Sequence, residues 1–561
     1  MCCGVFERRT FVIFLDFSLG SKRAPMAEQA AQLWKPRHNQ YAIALTVTLA
    51  TFMEVLDTSI ANVALPHIAG GLGASQDEAT WVLTSYLVAN AVVLPASAYL
   101  VTFFGRKKFY MACVMMFGLS SMLCGLAPSL PLLILFRVLQ GVGGGGLQPS
   151  EQAILADTFA PEKRGQAFAI YGMAVVAAPA LGPTLGGWIT DNFDWRWIFF
   201  INVPIAILSL ILTNRLVEDP PFIQKAVAKT RKTGLKLDFF GFGLLALGFG
   251  SLEFVLDKGQ EADWFGSRLI VFFTVMCVVS LGTLVVWSIA QLRKGGRPIL
   301  NLELLLKNRN FAVSFMMMFL LGFALFATTV LIPQYLQSLM GYTAELAGLV
   351  ISPGGLTIMV MMPLVGFLIQ RIDPRYLVAF GFTVTTIALL HMRTLNPEVS
   401  YGYAASLRIY QTLGLAFLFV PINTMAYTGI KQGQSNDVSG LTNLARNIGG
   451  SVGTAVFVTM LARREQFHQD RLGGAIVGSN PMFQQRVNAL KTMFQHAGGL
   501  TSSPDTASVL AYGNIYRQLQ RQATELAYVD VIQLLAIACA CMLPLVFLLK
   551  KRQAAGAPMG H

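Results

Sequence analysis

Read for hydrophobic and polar positions alone, the chain repeats one unit: an apolar window followed by a short polar turn. Each window is about 20 residues long, the length that crosses a bilayer as a helix at about 1.5 Å per residue. Fourteen windows can be read, near residues 41–65, 79–101, 109–127, 131–154, 166–190, 196–217, 238–257, 268–290, 311–335, 345–370, 375–393, 402–428, 437–461 and 527–549. Numbered as spans 1 to 14, they predict an all-α polytopic membrane protein.

The polar turns support that count because their charge alternates. Arg106, Lys107 and Lys108; Lys163 and Arg164; Lys225, Lys229, Arg231, Lys232 and Lys236; Arg293, Lys294, Arg297, Lys307 and Arg309; Arg371 and Arg375; Lys431; and Lys550, Lys551 and Arg552 all fall on one side, together with both termini. The opposite short turns are nearly free of Lys and Arg, so the basic side is expected to be the cytoplasm. One opposite segment, 463–526, is long, and its periodic polar sequence suits either short amphipathic helices above the membrane or a solvated loop. The first 25 residues imitate a signal peptide, but Asp16 interrupts the apolar run; a cytoplasmic tail, or an extension upstream of a start at Met26, fits better.

An internal repeat divides the chain. Ala98 to Lys107 after span 2 parallels Gly366 to Arg375 after span 10, and LGASQDEATWV before span 2 echoes MGYTAELAGLV before span 10. Two parallel halves of six spans are implied, with spans 7 and 8 inserted between them. The expected organisation is a tail (1–39), a first bundle (40–217), a linker with two spans (218–310), a second bundle (311–549) and a tail (550–561).

Composition agrees: 54% hydrophobic and only 13% charged residues, with a mean hydropathy of +0.56. The net charge of +13 sits mostly in the short turns, which argues for membrane orientation and against a nucleic-acid partner. Seven scattered Cys without a CxxC, and six dispersed His without HExxH, imply neither a disulfide scaffold nor a metal site. The dipeptide Gly-Lys never occurs, so no P-loop can deliver ATP. No enzymatic constellation and no cofactor is implied.

Charges within the spans are the candidate chemistry, since each is expensive in hydrocarbon and normally faces a partner or a watery cavity. In span 4, PLLILFRVLQGVGGGGLQPSE, the residues Gln140, Gly141, Gly144, Gln148 and Glu151 fall within about 60° of Arg137 around the helix. In span 1, Glu54 and Asp57 share a face. Counted from the outer ends, Asp57 lies roughly 12 Å deep and Arg137 roughly 10 Å, so the two can meet. Burial disfavours a charged carboxylate and a neighbouring Arg favours it, which is what a proton-coupled site requires; a static ion pair locking spans 1 and 4 is the alternative. Glu151, about 21 Å further along its helix, either guards the inner mouth, binds cationic substrate or is a solvated helix-end charge. Span 5 interleaves Pro179, Gly182, Pro183, Gly186 and Gly187, which predicts a kinked, closely packed helix. In span 13, Ser439, Asn443, Arg446, Gly450 and Gly453 share one face; Arg446 points inward or snorkels to the surface. Glu253 in span 7 is a lone acid without an assignable role.

The sequences Leu56-Asp57-Thr58-Ser59-Ile60-Ala61-Asn62-Val63-Ala64-Leu65-Pro66, Arg137-Val138-Leu139-Gln140-Gly141 and Gly182-Pro183-Thr184-Leu185-Gly186-Gly187 together resemble the major facilitator superfamily, specifically its fourteen-span drug:proton antiporters of the EmrB/QacA type. The resemblance implies two six-helix bundles that rock about a central cavity, with Asp57 and Arg137 in proton coupling and span 5 as the bend. It also implies export of small hydrophobic or amphipathic compounds, and work with a periplasmic adaptor and an outer-membrane channel. An exporter of one metabolite or siderophore, and a non-transporting membrane sensor or scaffold, are the competing readings. The turn after span 2 departs from the family pattern: Gly105, Arg106 and Lys107 persist, but Ala98, Thr102 and Phe103 stand where Gly, Asp and Arg are usual. Gating is therefore expected to rest more on the second-half turn with Gly366 and Arg371.

Overall fold

The computed structural model describes residues 34–232, 238–294, 298–431, 433–474, 476–496 and 504–549. Both expected tails fall almost wholly outside the described residues, including Met26 and Lys550 to Arg552, as do Lys236 and Arg297.

In hydrocarbon a backbone must satisfy its own hydrogen bonds, and the described spans do so as helices. Thirteen are long and apolar enough to cross a membrane, among them Gln40–Leu72 (span 1), Gln76–Phe104 (2), Arg106–Gly125 (3), Leu130–Thr158 (4), Trp197–Leu216 (6), Leu346–Leu368 (10), Tyr401–Ala426 (12), Ser435–Gly473 (13) and Pro504–Val546 (14). The fourteenth, span 5, consists of Arg164–Pro179 and Leu181–Asn192 bent by 45°. Side chains close several exposed helix starts: Asn39 accepts from the amide of Tyr41, Ser400 from Tyr403, and Ser75 and Glu78 form a capping box.

Span 4 is interrupted. Leu130–Gly144 ends and Leu147–Thr158 begins across the pair Gly145 and Gly146. This run lies tight against its neighbours: a Cβ on Gly145 would stand 2.7 Å from the Asn90 carbonyl, and one on Gly146 2.4 Å from the Cys113 sulfur. Close approach, more than backbone freedom, accounts for these glycines.

The bend in span 5 has an equally local cause. Pro183 has no N–H to give the carbonyl of Pro179, and the Ser59 hydroxyl of span 1 donates to that carbonyl instead, at 3.2 Å. Ser59 reaches it because Gly182 has no side chain; a Cβ there would stand 2.2 Å from the Ser59 oxygen.

Spans 1–6 and 9–14 form the two halves, and spans 5 and 10 meet along the seam between them. The inserted spans 7 and 8 sit at another edge of the seam. Lys258 donates to Thr80 of span 2 at 2.6 Å, and Ser451 of span 13 donates to Glu253 at 2.8 Å. Glu253, without a role in the sequence, thus ties span 7 to the second half.

The segment after span 13 is helical, as the first of the two sequence expectations has it, but much of it continues the flanking spans. Span 13 runs on as helix to Gly473, span 14 already starts at Pro504, and one separate helix, Pro481–His496, packs Val487 and Leu490 against Ala511 and Ile515. Asp530 pins the two extensions together through Arg464 at 2.9 Å and His468 at 2.7 Å. The apolar windows mark only the part of each helix that lipid requires to be apolar, so their ends underestimate the helices.

Within the second half, spans 9 and 13 cross at backbone contact: a Cβ on Gly449 would stand 1.9 Å from the Phe319 carbonyl oxygen, and one on Gly322 2.1 Å from that of Arg446. Gly449→Val should therefore destabilise the protein by at least about 1–3 kcal/mol, the usual cost of overpacking a tight core. The check is the unfolding temperature of the detergent-purified protein; an unchanged value would contradict this packing.

Candidate functional site

Three polar layers lie along the first half, each fixed by residues from several spans. The outermost surrounds Asp57, which is 2% exposed, and Arg137, which is fully buried. One Arg137 nitrogen, Nη1, donates to Asp57 Oδ2 at 2.6 Å and to Gln140 Oε1 at 2.8 Å. Gln140 Nε2 donates to Asp57 Oδ1 at 3.0 Å, and Asn202 Nδ2 donates to the same oxygen at 2.6 Å. Arg137 Nε is satisfied by the Val82 carbonyl at 3.0 Å, and the guanidinium lies 4.3 Å from the Tyr86 ring centroid. Every neighbour bonded to Asp57 is a donor, so the shell suits the ionised carboxylate and offers a carboxylic proton no acceptor.

The second layer holds Glu54, one helical turn away. Asn90 donates to its Oε1 at 3.1 Å and the Tyr86 hydroxyl at 3.4 Å, while Oε2 makes no hydrogen bond. Gln148 lies alongside. Glu54 and Asp57 share a helix face, yet one sits in a saturated, charged shell and the other keeps a bare oxygen.

Gln148 also belongs to a network that crosses the seam. Its Oε1 accepts from Arg446 Nη2 of span 13. Arg446 Nη1 donates to the Tyr171 hydroxyl at 3.2 Å, and Tyr171 can give its single proton to Asn443 Oδ1 at 3.1 Å. Asn443 Nδ2 donates to Gln152 at 2.9 Å, and Gln152 to Asn423 at 3.3 Å. Arg446 is 2% exposed, so it points inward and does not snorkel. Glu151 is also no solvated end charge: it is fully buried, and Thr48 donates to its Oε1 at 2.6 Å. Span 4 continues as helix past it to Thr158, which keeps it beneath another turn of protein.

At the basic end, Gly105 at φ 84° joins spans 2 and 3 and turns Arg106 inward, 1% exposed. Arg106 donates to Asp157 at 2.7 Å and to the Ala153 carbonyl at 3.1 Å, and the other Asp157 oxygen accepts from Ser435 of the second half at 2.6 Å. The Lys107 amide is held by Asp219 at 2.9 Å. The second-half turn looks different. Gly366 lies within span 10, pressed on span 5 where its Cβ would meet Ala169 at 2.8 Å. Arg371 is exposed, its guanidinium 4.7 Å from the Phe367 ring. In this arrangement Arg371 makes no bond to the first half among the described residues, whereas Asp157 accepts from Ser435 across the seam.

Of the span 5 residues, Pro179, Gly182 and Pro183 shape the bend described above. Gly186 lets span 1 approach, its Cβ position standing 3.2 Å from Ile60, and the Gly187 carbonyl accepts from Thr190 at 3.1 Å. Sequence reasoning missed Asn202, Tyr86, Asn90, Tyr171, Gln152, Asn423 and Asp157. Polar residues inside apolar windows were the available signal, and six of these seven sit in one. Among the described residues no group of His, Cys, Asp and Glu is arranged to hold a metal.

Residues 47–454 match the family model of the Major Facilitator Superfamily. The multidrug export protein EmrB of Escherichia coli (strain K12) is 35% identical over 532 residues, 94% of this chain and 99% of that protein. The fatty acid resistance protein FarB of Neisseria gonorrhoeae is 38% identical over 430 residues, 76% of this chain and 82% of that protein. Among solved structures, the proton:xylose symporter XylE shares the fold at a TM-score of 0.53 with 13% identity, over 91% of this chain and 96% of that one.

Removing Asp157 leaves Arg106 buried without a counter-charge, and the reverse holds for Arg106. Asp157→Asn and Arg106→Gln should each cost about 3–5 kcal/mol, whereas the double variant should cost clearly less than their sum. Denaturation midpoints of the purified variants measure this, and additive losses would show that the pair does not act as a unit.

Proposed function

We propose that this chain, which belongs to the major facilitator superfamily, is a proton-driven exporter of hydrophobic or amphipathic drugs and toxic compounds, working by alternating access in a bacterial inner membrane. The observation that carries the reading is the division of labour between two neighbouring carboxyls: Asp57 saturated by donors and ion-paired with Arg137, Glu54 left with a bare oxygen beside Gln148. EmrB of Escherichia coli, by its name a multidrug exporter, covers 94% of the chain, which supports the substrate range.

In this reading the basic end faces the cytoplasm and is closed here by the Gln148–Arg446, Tyr171–Asn443, Gln152–Asn423 and Asp157–Ser435 bonds. Glu54 as a carboxylate attracts Arg446 across the seam. A proton arriving from outside at its free oxygen removes that attraction and loosens the clamp, so that the cytoplasmic mouth opens to substrate. Asp57 and Arg137 respond to the same rearrangement: once the donors around Asp57 separate, it too can take a proton, which couples its charge to the position of spans 1 and 4. Span 5, with its bend and its contact to span 10, is the element about which the halves rock. Glu151, held by Thr48 beneath the inner mouth, meets substrate once the halves part. The helical extensions of spans 13 and 14 support docking of a periplasmic adaptor, and through it an outer-membrane channel.

Asp57→Asn should abolish dye export from proteoliposomes under an imposed pH gradient, to the level of protein-free vesicles. Because that variant also strands Arg137, the double variant Asp57→Asn with Arg137→Gln separates coupling from folding: it should regain stability and remain uncoupled. Normal gradient-driven export by either variant would sink the assignment.

A further inference from the structure

The second half contains a copy of the Arg137 clamp from which the acid has been removed. Leu135-Phe136-Arg137-Val138-Leu139-Gln140-Gly141-Val142-Gly143 in span 4 has its counterpart in span 12 as Ser406-Leu407-Arg408-Ile409-Tyr410-Gln411-Thr412-Leu413-Gly414. Packing confirms the register. A Cβ on Gly143 would stand 2.7 Å from the Phe117 amide nitrogen of span 3, and one on Gly414 2.7 Å from the Thr385 amide nitrogen of span 11. The register that pairs Ala98 with Gly366 also pairs Tyr86 with Gly354, and both of these touch the arginine: the Tyr86 ring lies 4.3 Å from Arg137, while a Cβ on Gly354 would meet the Arg408 stem at 2.8 Å.

The partners of the two arginines differ. Aligning Pro66 of span 1 with Pro333 of span 9 sets Ala324 in the place of Asp57. Arg408 is 5% exposed, and its guanidinium makes one hydrogen bond among the described residues, to Gln411 Oε1. Its Nε has no partner, where Arg137 Nε holds a carbonyl. Gln411 Nε2 has none either, and it corresponds to the atom of Gln140 with which the first half grips the Asp57 carboxylate. Burying a guanidinium with unmatched donors costs several kcal/mol, so a site that keeps it needs an anion from elsewhere. A carboxylate would match these donors with one oxygen on Arg408 and the other on Gln411 Nε2.

We propose that Arg408 and Gln411 form a subsite for the carboxylate of an amphipathic organic acid carried as substrate. Arg408 shares a helix face with Phe419 and Asn423, which meet Tyr171 and Gln152 across the seam, so the clamp faces the region between the halves. The substrate's carboxylate completes in the second half the arrangement that Asp57 completes in the first, and its apolar body lies along the seam. This proposal rests on the exporter reading above.

The test uses the full chain in nanodiscs and two probes on one skeleton, 1-naphthoate and 1-naphthylmethylammonium, with binding read by scintillation proximity. The ratio of naphthoate to ammonium affinity should fall at least about tenfold in Arg408→Gln, the scale of a lost charge-assisted hydrogen bond, and recover in part in Arg408→Lys. Ala324→Asp restores the missing acid and should occupy the clamp itself, causing the same fall with Arg408 intact. An unchanged ratio in Arg408→Gln, or undiminished naphthoate binding in Ala324→Asp, would overturn the subsite. Naphthoate binding that depends on Arg408, without export of any probe under a pH gradient, would instead sink the exporter reading and leave the subsite standing.

Discussion

A charge removed from water into a bundle of apolar helices must be matched at hydrogen-bond distance, and most of the polar architecture of this protein follows from that requirement. Arg137 is met by Asp57 at 2.6 Å and by an aromatic face, and Arg106 by Asp157 at 2.7 Å. Arg446 is met only by neutral oxygens, with Glu54 near enough to attract it. These arginines set which helix faces turn inward. Around them the leucines and phenylalanines of each span either pack between helices, as Phe117 and Phe168 do, or face outward, as Leu119 and Leu135 do.

Matching charges at short range requires the helices to come close, and glycine with proline makes that geometry available. Ser59 can repair the carbonyl left free by Pro183 only because Gly182 clears the path. The broken helix of span 4 follows the same logic: four successive glycines let spans 2 and 3 lie against it, and the break separates the Asp57 layer from the residues that cross the seam. Chemistry and bending are thus placed in the same short stretches.

Depth counted along helices was enough to bring Asp57 and Arg137 together in the sequence, since both lie near one end of long uninterrupted windows. The same counting left Glu151 open, because the window edge lies near it while the helix carries on to Thr158. It left Arg446 undecided for the same reason. Amides and hydroxyls such as Asn202, Gln152 and Tyr171 gave no periodic signal, being single polar residues in otherwise apolar runs; only the distances between spans show that they converge. Arg408 escaped notice because it lacks the acidic partner that drew attention to Arg137, and the repeat was visible first in the turns.

The bonds across the closed seam have a property with kinetic consequences. They join amides, hydroxyls, the Arg446 guanidinium held by neutral oxygens and the Asp157 carboxylate held by a hydroxyl, and among the described residues both members of each ion pair with buried side chains belong to the same half. Parting the halves therefore exchanges hydrogen bonds for bonds to entering water, each worth about 0.5–1.5 kcal/mol net where both partners are neutral and about 1.5–3 where one is charged, and tears no contact ion pair apart in a low dielectric. Rocking on this surface separates single hydrogen bonds one after another, a seam that opens like a wetted joint.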